Sequence, residues 1–216
     1  MIVNYWLLPL ALLLLWFPRQ WLRLGIKVTG RSSARNLRKP AVERDAQDAS
    51  LKLKEEFSKV RNWVDLARAA TGALAVNFAC FSLEPGTEKI WANPLFALKC
   101  SLLIVAVVIQ ASRFNGRLQF SAPIFFILGL SFGLIGLKAA LFACVAVWTV
   151  SLAIPSPATF LMVFAGFELG FGLLLDLVLL PYILLAVGLA FIPMLLSGMM
   201  RRDLVKLKKP SRGRRS

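Results

Sequence analysis

Glu168 is the residue best placed to do chemistry in this chain. It sits mid-way along an apolar run, inside the pattern Gly166-Phe-Glu-Leu-Gly170. An ionised carboxylate in hydrocarbon is costly unless it is paired, so Glu168 should face protein or water, or hold its proton. Asp176 follows eight residues later. On a helix the two are offset by ~80° around the axis and ~12 Å along it, which is wide for shared acid–base work. Asp176 is also nearer the end of the run, where it can snorkel to the interface. Lys138 and Lys99 are the candidate counter-charges. Two uses of Glu168 remain open: a structural ion pair or neutral hydrogen-bonded carboxyl, and a proton-relay or transport step.

Other familiar chemistry is missing. The chain has no histidine, so His-ligated haem or zinc and any imidazole triad are excluded. Cys80, Cys100 and Cys144 lie far apart in apolar runs, without metal-ligand spacing, and read as small buried apolar residues. There is no HExxH pair, no P-loop and no dinucleotide fingerprint. Neither a cofactor nor a metal is expected, and an enzyme is disfavoured. A lipid-modifying membrane enzyme would need serines or carboxylates gathered at the headgroup layer.

The elements holding these residues must be membrane helices. From Pro94 to Met200 the formal charges are Lys99, Arg113, Arg117, Lys138, Glu168 and Asp176. With 58% hydrophobic residues in 216 and a mean hydropathy of +0.69, there is too much apolar surface for a water-soluble core of this size. The net charge of +15 is concentrated: twelve Lys/Arg lie between Arg19 and Arg61 and eight between Arg201 and Arg215. Cations flanking spans resist translocation, so both regions are expected on the cytoplasmic side, against anionic headgroups. Nucleic acid is a disfavoured partner, since these cations adjoin spans rather than line a groove.

The sequence divides into a first span (1–18), a basic cytoplasmic segment (19–65), a transmembrane bundle (66–200) and a basic tail (201–216) expected to be disordered. Ile2 to Phe17 reads as an uncleaved span with its N-terminus outside. Arg19, Arg23 and Lys27 recur every four residues and predict an amphipathic helix lying in the headgroup layer. Arg201 and Arg202 stop the last span and should meet the same layer. From Leu53 the positions Phe57, Val60, Val64, Ala67, Thr71 and Leu74 form a heptad seam. Glu55–Lys59 and Arg61–Asp65 have ion-pair spacing on the other face. The seam is expected to pack on this protein's own helices or on a coiled-coil partner. It continues into a second span ending before Glu84. The run Trp63–Arg68 reads as an interfacial anchor.

Leu95–Ala111 is the third span. Ala122–Ile154 is too long for one crossing, and Gly129, Gly133, Gly136 and Lys138 predict a break that divides it. Ala158–Asp176 and Leu179–Met199 complete about seven spans in an all-α polytopic bundle. Five is the alternative, with 122–154 as a non-crossing hairpin or a single bent span. Either count leaves the C-terminus cytoplasmic in a cell inner membrane. Gly129/Gly133 and Gly166/Gly170 are both GxxxG patterns, expected to pack their two helices against each other or to receive another subunit. The leading functional expectation is a non-catalytic scaffold or subunit of a membrane complex, forming a homo-oligomer or joining other membrane subunits. A small transporter or channel using Glu168 is the alternative.

Overall fold

The computed structural model describes residues 2–3, 6–18, 56–81, 94–114, 118–151, 154, 156–175 and 179–199. Arg19, Arg23 and Lys27, Asp176, Arg201 and Arg202, and the tail lie outside the described residues, as do the expected surface helix and linker. The fold is all-α, as the sequence implies. Seven helices are described: α1 (Leu7–Trp16), α2 (Val60–Ala79), α3 (Pro94–Ala111), α4 (Ile124–Leu134), α5 (Leu137–Val150), α6 (Pro157–Leu175) and α7 (Leu180–Met199). Two short antiparallel ladders accompany them. One joins β1 (Ile2–Val3) to β2 (Cys80–Phe81), and the other joins β3 (Ser112–Phe114) to β4 (Leu118–Phe120).

Three helices, α3, α6 and α7, are long and apolar enough to cross a membrane. At about 1.5 Å per residue they reach ~27–30 Å, close to the thickness of a hydrocarbon core. Helices α1, α4 and α5 are apolar but shorter. Seven full crossings therefore do not follow from the helix lengths. Many large apolar side chains point outward from the bundle, among them Phe78 on α2, Ile104 and Val105 on α3, Phe142 on α5, Met162 and Leu174 on α6 and Leu195 on α7. A surface of that kind is suited to lipid.

Helix direction can be read from contacts near the ends. The β1–β2 ladder places the start of α1 beside the end of α2, and Ala79 and Leu95 pack with Leu7 and Leu8 there. The start of α3 thus joins the same end. At the opposite end Phe57, just before α2, meets Phe125 at the start of α4 and Trp148 at the end of α5. Helices α4 and α5 are therefore an antiparallel hairpin. Its apex is Gly136, at φ +83°, ψ 162°, where a side chain would be strained. The predicted break falls there. Phe160, against Trp148, starts α6 at the end where α5 finishes. Ser156 caps that helix by accepting the Thr159 N–H at 3.1 Å, and Pro157 at its first position has no N–H in need of an acceptor.

Helix α4 is enclosed, with ten of its eleven residues buried. Its glycines make the enclosure possible. A Cβ on Gly133 would lie 2.5 Å from Ala73 Cβ and 3.0 Å from Ala70 O, and one on Gly129 would lie 2.8 Å from Ala69 Cβ. Small residues on both sides let α2 and α4 approach closely, so that dispersion holds the pair. This corrects the expected pairing of the two GxxxG helices: Gly129 and Gly133 pack on α2, not on Gly166 and Gly170.

From Val60 to Leu74 the heptad seam does not pack on this protein's own helices. Val60, Val64, Ala67, Thr71 and Leu74 are exposed, while Asn62, Asp65, Arg68, Ala69, Gly72, Ala73 and Val76 form the buried face. Where lipid surrounds a helix, large apolar side chains lose nothing by facing out, and small residues mark the packed side. Lys59 pairs with Glu56 at 2.5 Å and Asp65 with Arg68 at 2.9 Å, each at i, i+3 spacing, while the expected Glu55–Lys59 pair lies outside the described residues.

Candidate functional site

Several buried polar groups interrupt the apolar interior. The first is built on α6. Its inward residues Phe160, Leu161, Phe164, Ala165, Glu168 and Gly172 follow a helical stripe, and Glu168 occupies the middle of it. Its side chain is fully buried. The α4–α5 hairpin brings Ser131 to it, and the Ser131 hydroxyl is hydrogen-bonded to Glu168 Oε1. Ser131 Oγ also lies 3.0 Å from the Ile127 carbonyl one turn earlier. Glu168 Oε2 has no hydrogen-bond partner among the described residues.

The expected counter-charges lie elsewhere. Lys138 is exposed at the start of α5. Lys99 is buried, but it donates to Tyr182 Oη on α7 at 3.2 Å and lies over the same ring. Phe96 closes edge-on against Tyr182. Among the described residues no ion pair joins Lys99 to Glu168. Gly166 and Gly170 share α6 with Glu168 but face away from it. Both are exposed, and nothing lies within 4 Å of where a Cβ would stand.

Ser131 was not singled out by sequence reading, although a signal existed. Gly129-Leu-Ser-Phe-Gly133 has the G-x-S-x-G spacing of a hydrolase nucleophile as well as GxxxG spacing. The structure decides between them. Ser131 lies inside a helix rather than at a strand-to-helix turn, and the chain has no histidine to activate it. The two glycines serve helix packing.

The second polar group ties helices together where α1 and α3 end. Arg68 on α2 donates from Nε to Asp65 Oδ1 at 3.0 Å, from Nη1 to the Phe17 carbonyl at 2.5 Å and from Nη2 to Gln110 Oε1 at 2.8 Å. Gln110 on α3 donates to the carbonyls of Leu15 and Phe17, at 3.1 and 2.9 Å. The Arg68 guanidinium also lies over the Phe126 ring of α4. The last carbonyls of α1 have no partner within their own helix, and these side chains supply one. The Trp63–Arg68 run is therefore divided between two faces: Trp63, Val64 and Ala67 are exposed, and Trp63 bonds the Phe57 carbonyl at 2.8 Å, but Asp65 and Arg68 are core residues. No group of three or more metal-ligating side chains occurs among the described residues.

Fold and site together define a class: an all-helical bundle with at least three helices of membrane-crossing character and a carboxyl–hydroxyl pair in its interior. Comparison with protein-family models, curated proteins and solved structures returns no match.

Proposed function

We propose that this chain is a multi-pass membrane protein acting as a non-catalytic subunit or scaffold, assembled with a second copy or with other membrane subunits. The observation that carries this reading is the outward glycine face of α6. Gly166 and Gly170 leave a shallow groove open, whereas the matching glycines of α4 are filled by α2. Small residues four apart on a lipid-facing helix allow close approach by another helix. The basic stretches 19–61 and 201–215 favour a cytoplasmic C-terminus in a bacterial-type inner membrane, with anionic headgroups as the constant partner. Helices α4 and α5, of 11 and 14 residues, reach only ~16 and ~21 Å against a ~30 Å core. This favours the alternative in which the α4–α5 hairpin does not cross, with α4 enclosed by its neighbours, where non-spanning elements are tolerated. Purification in mild detergent tests assembly. A stable oligomer or co-purifying membrane subunit, lost in Gly166→Leu/Gly170→Leu, supports the reading. A strictly monomeric, partner-free particle overturns it.

A specific observation favours a second reading, a small transporter or channel. Interrupted helices and buried carboxyls are recurrent parts of membrane transport sites, and here the α4–α5 hairpin presents Ser131 to Glu168. This reading requires that Glu168→Gln keep the fold and abolish a flux in proteoliposomes. Loss of stability alone would assign Glu168 a structural role.

A further inference from the structure

We infer that Glu168 is a proton-binding site, occupied at neutral pH, whose proton is donated to Ser131 Oγ. The inference does not depend on whether the protein assembles with others or transports anything.

An ionised Glu168 would leave this site one hydrogen short. Ser131 has one hydroxyl hydrogen, and two acceptors stand within reach: the Ile127 carbonyl at 3.0 Å and Glu168 Oε1. A carbonyl never donates. If Glu168 were ionised it could not donate either, and one of the two close contacts would set oxygen against oxygen with no hydrogen between them. A protonated Glu168 removes the conflict. Its O–H donates to Ser131 Oγ, Ser131 donates to Ile127 O, and each contact holds one hydrogen.

The surroundings agree. Glu168 is fully buried, and an ionised carboxylate there would need a cation or several donors. The elements packed on α6 are α4, α5 and α7. Helix α4 has no ionisable side chain. Helix α5 has Lys138, which is exposed, and Cys144. Helix α7 has Tyr182, which accepts from Lys99. None of these groups is hydrogen-bonded or ion-paired to Glu168 among the described residues. Oε2 is without a hydrogen-bond partner, which is far less costly for a neutral acid than for half of a carboxylate.

Infrared spectroscopy of the full chain in proteoliposomes tests this directly. The expected result is a protonated-carboxyl C=O band at neutral pH that disappears in Glu168→Gln and shifts in frequency in Ser131→Ala, because the acid loses its acceptor. In the unmodified protein the same band should be present at neutral pH, which needs no variant to fold. A wild-type spectrum with no protonated-carboxyl band at neutral pH overturns the proposal. So does a band that survives unchanged in a folded Glu168→Gln protein. Failure here would leave the glycine-face assembly untouched, since α6 presents its glycines on the opposite side.

Discussion

Arg68 and Gln110 stand 2.8 Å apart and converge on one carbonyl, that of Phe17, which both donate to. The pair links α2 and α3 and closes the end of α1 between them. Truncating one member of such a network strands the others in the interior. Arg68→Ala leaves Asp65, Gln110 and the Phe17 carbonyl short of a donor and is expected to cost about 3–5 kcal/mol. Gln110→Leu removes a neutral group and should cost about 1–3 kcal/mol. Denaturant unfolding in detergent measures both, and an Arg68→Ala protein as stable as the parent would show that the network carries no weight.

The two GxxxG motifs should respond oppositely to the same substitution. Alanine at Gly133 sets a methyl 2.5 Å from Ala73 Cβ and 3.0 Å from a backbone oxygen, so α2 and α4 must separate. Overpacking of that kind costs about 1–3 kcal/mol. Alanine at Gly166 or Gly170 meets nothing within 4 Å, and the better helix former should leave the isolated chain unchanged or raise its stability by up to ~1 kcal/mol. Thermal unfolding of the four single alanine variants distinguishes these outcomes.

Gly136 offers a different test because space is not the limit there. A Cβ would meet nothing within 4 Å, yet φ is +83°. Gly136→Ala should therefore cost about 1–3 kcal/mol through backbone strain alone. Gly136→Asn should cost as much as Ala, since ψ is 162° and the tolerance of Asn for positive φ is confined to the left-handed helical region. A much smaller loss for Asn than for Ala in an unfolding series would argue that the hairpin turns through the left-handed helical region instead.

Which parts of this arrangement were readable in the sequence follows from what lipid does to pattern. Helix existence was readable, because long apolar runs broken by Pro, Gly and charges leave few other options, and the Gly136 break fell where glycine spacing and Lys138 indicated. Orientation was not. The Leu53–Leu74 periodicity looks like a water-soluble seam, but in a bilayer the packed face of α2 is the small and polar one, Asp65, Arg68, Ala69 and Ala73. Glu168 stood out because a carboxyl in an apolar run is rare. Its partner did not, since Ser131 reaches it only through the hairpin, and a serine carries no signal of its own at a distance of 37 residues. Arg68 was hidden for a related reason: near a span end, an arginine that anchors at the interface and one that caps a neighbouring helix have the same sequence context.

The aromatic cluster at the end where α4 begins gives the last prediction. Trp148 on α5 meets Phe57 at 4.9 Å, Phe160 at 4.9 Å and Phe125 at 5.8 Å between ring centroids. It thereby joins the residue preceding α2 to the starts of α4 and α6. Trp148→Ala should cost about 3–5 kcal/mol, as for other buried tryptophans. Phe57 and Trp148 are edge-on, so a double-mutant cycle with Phe57→Ala should return a coupling of about 0.5–1.5 kcal/mol beyond simple loss of area. The pair Phe142–Phe171, with ring centroids 5.8 Å apart, serves as the control. Phe142 is exposed on the outer surface, where lipid replaces its partner at little cost, so its cycle should return less. A coupling at Phe142–Phe171 as large as that at Phe57–Trp148 would mean that the cluster gains nothing from being enclosed.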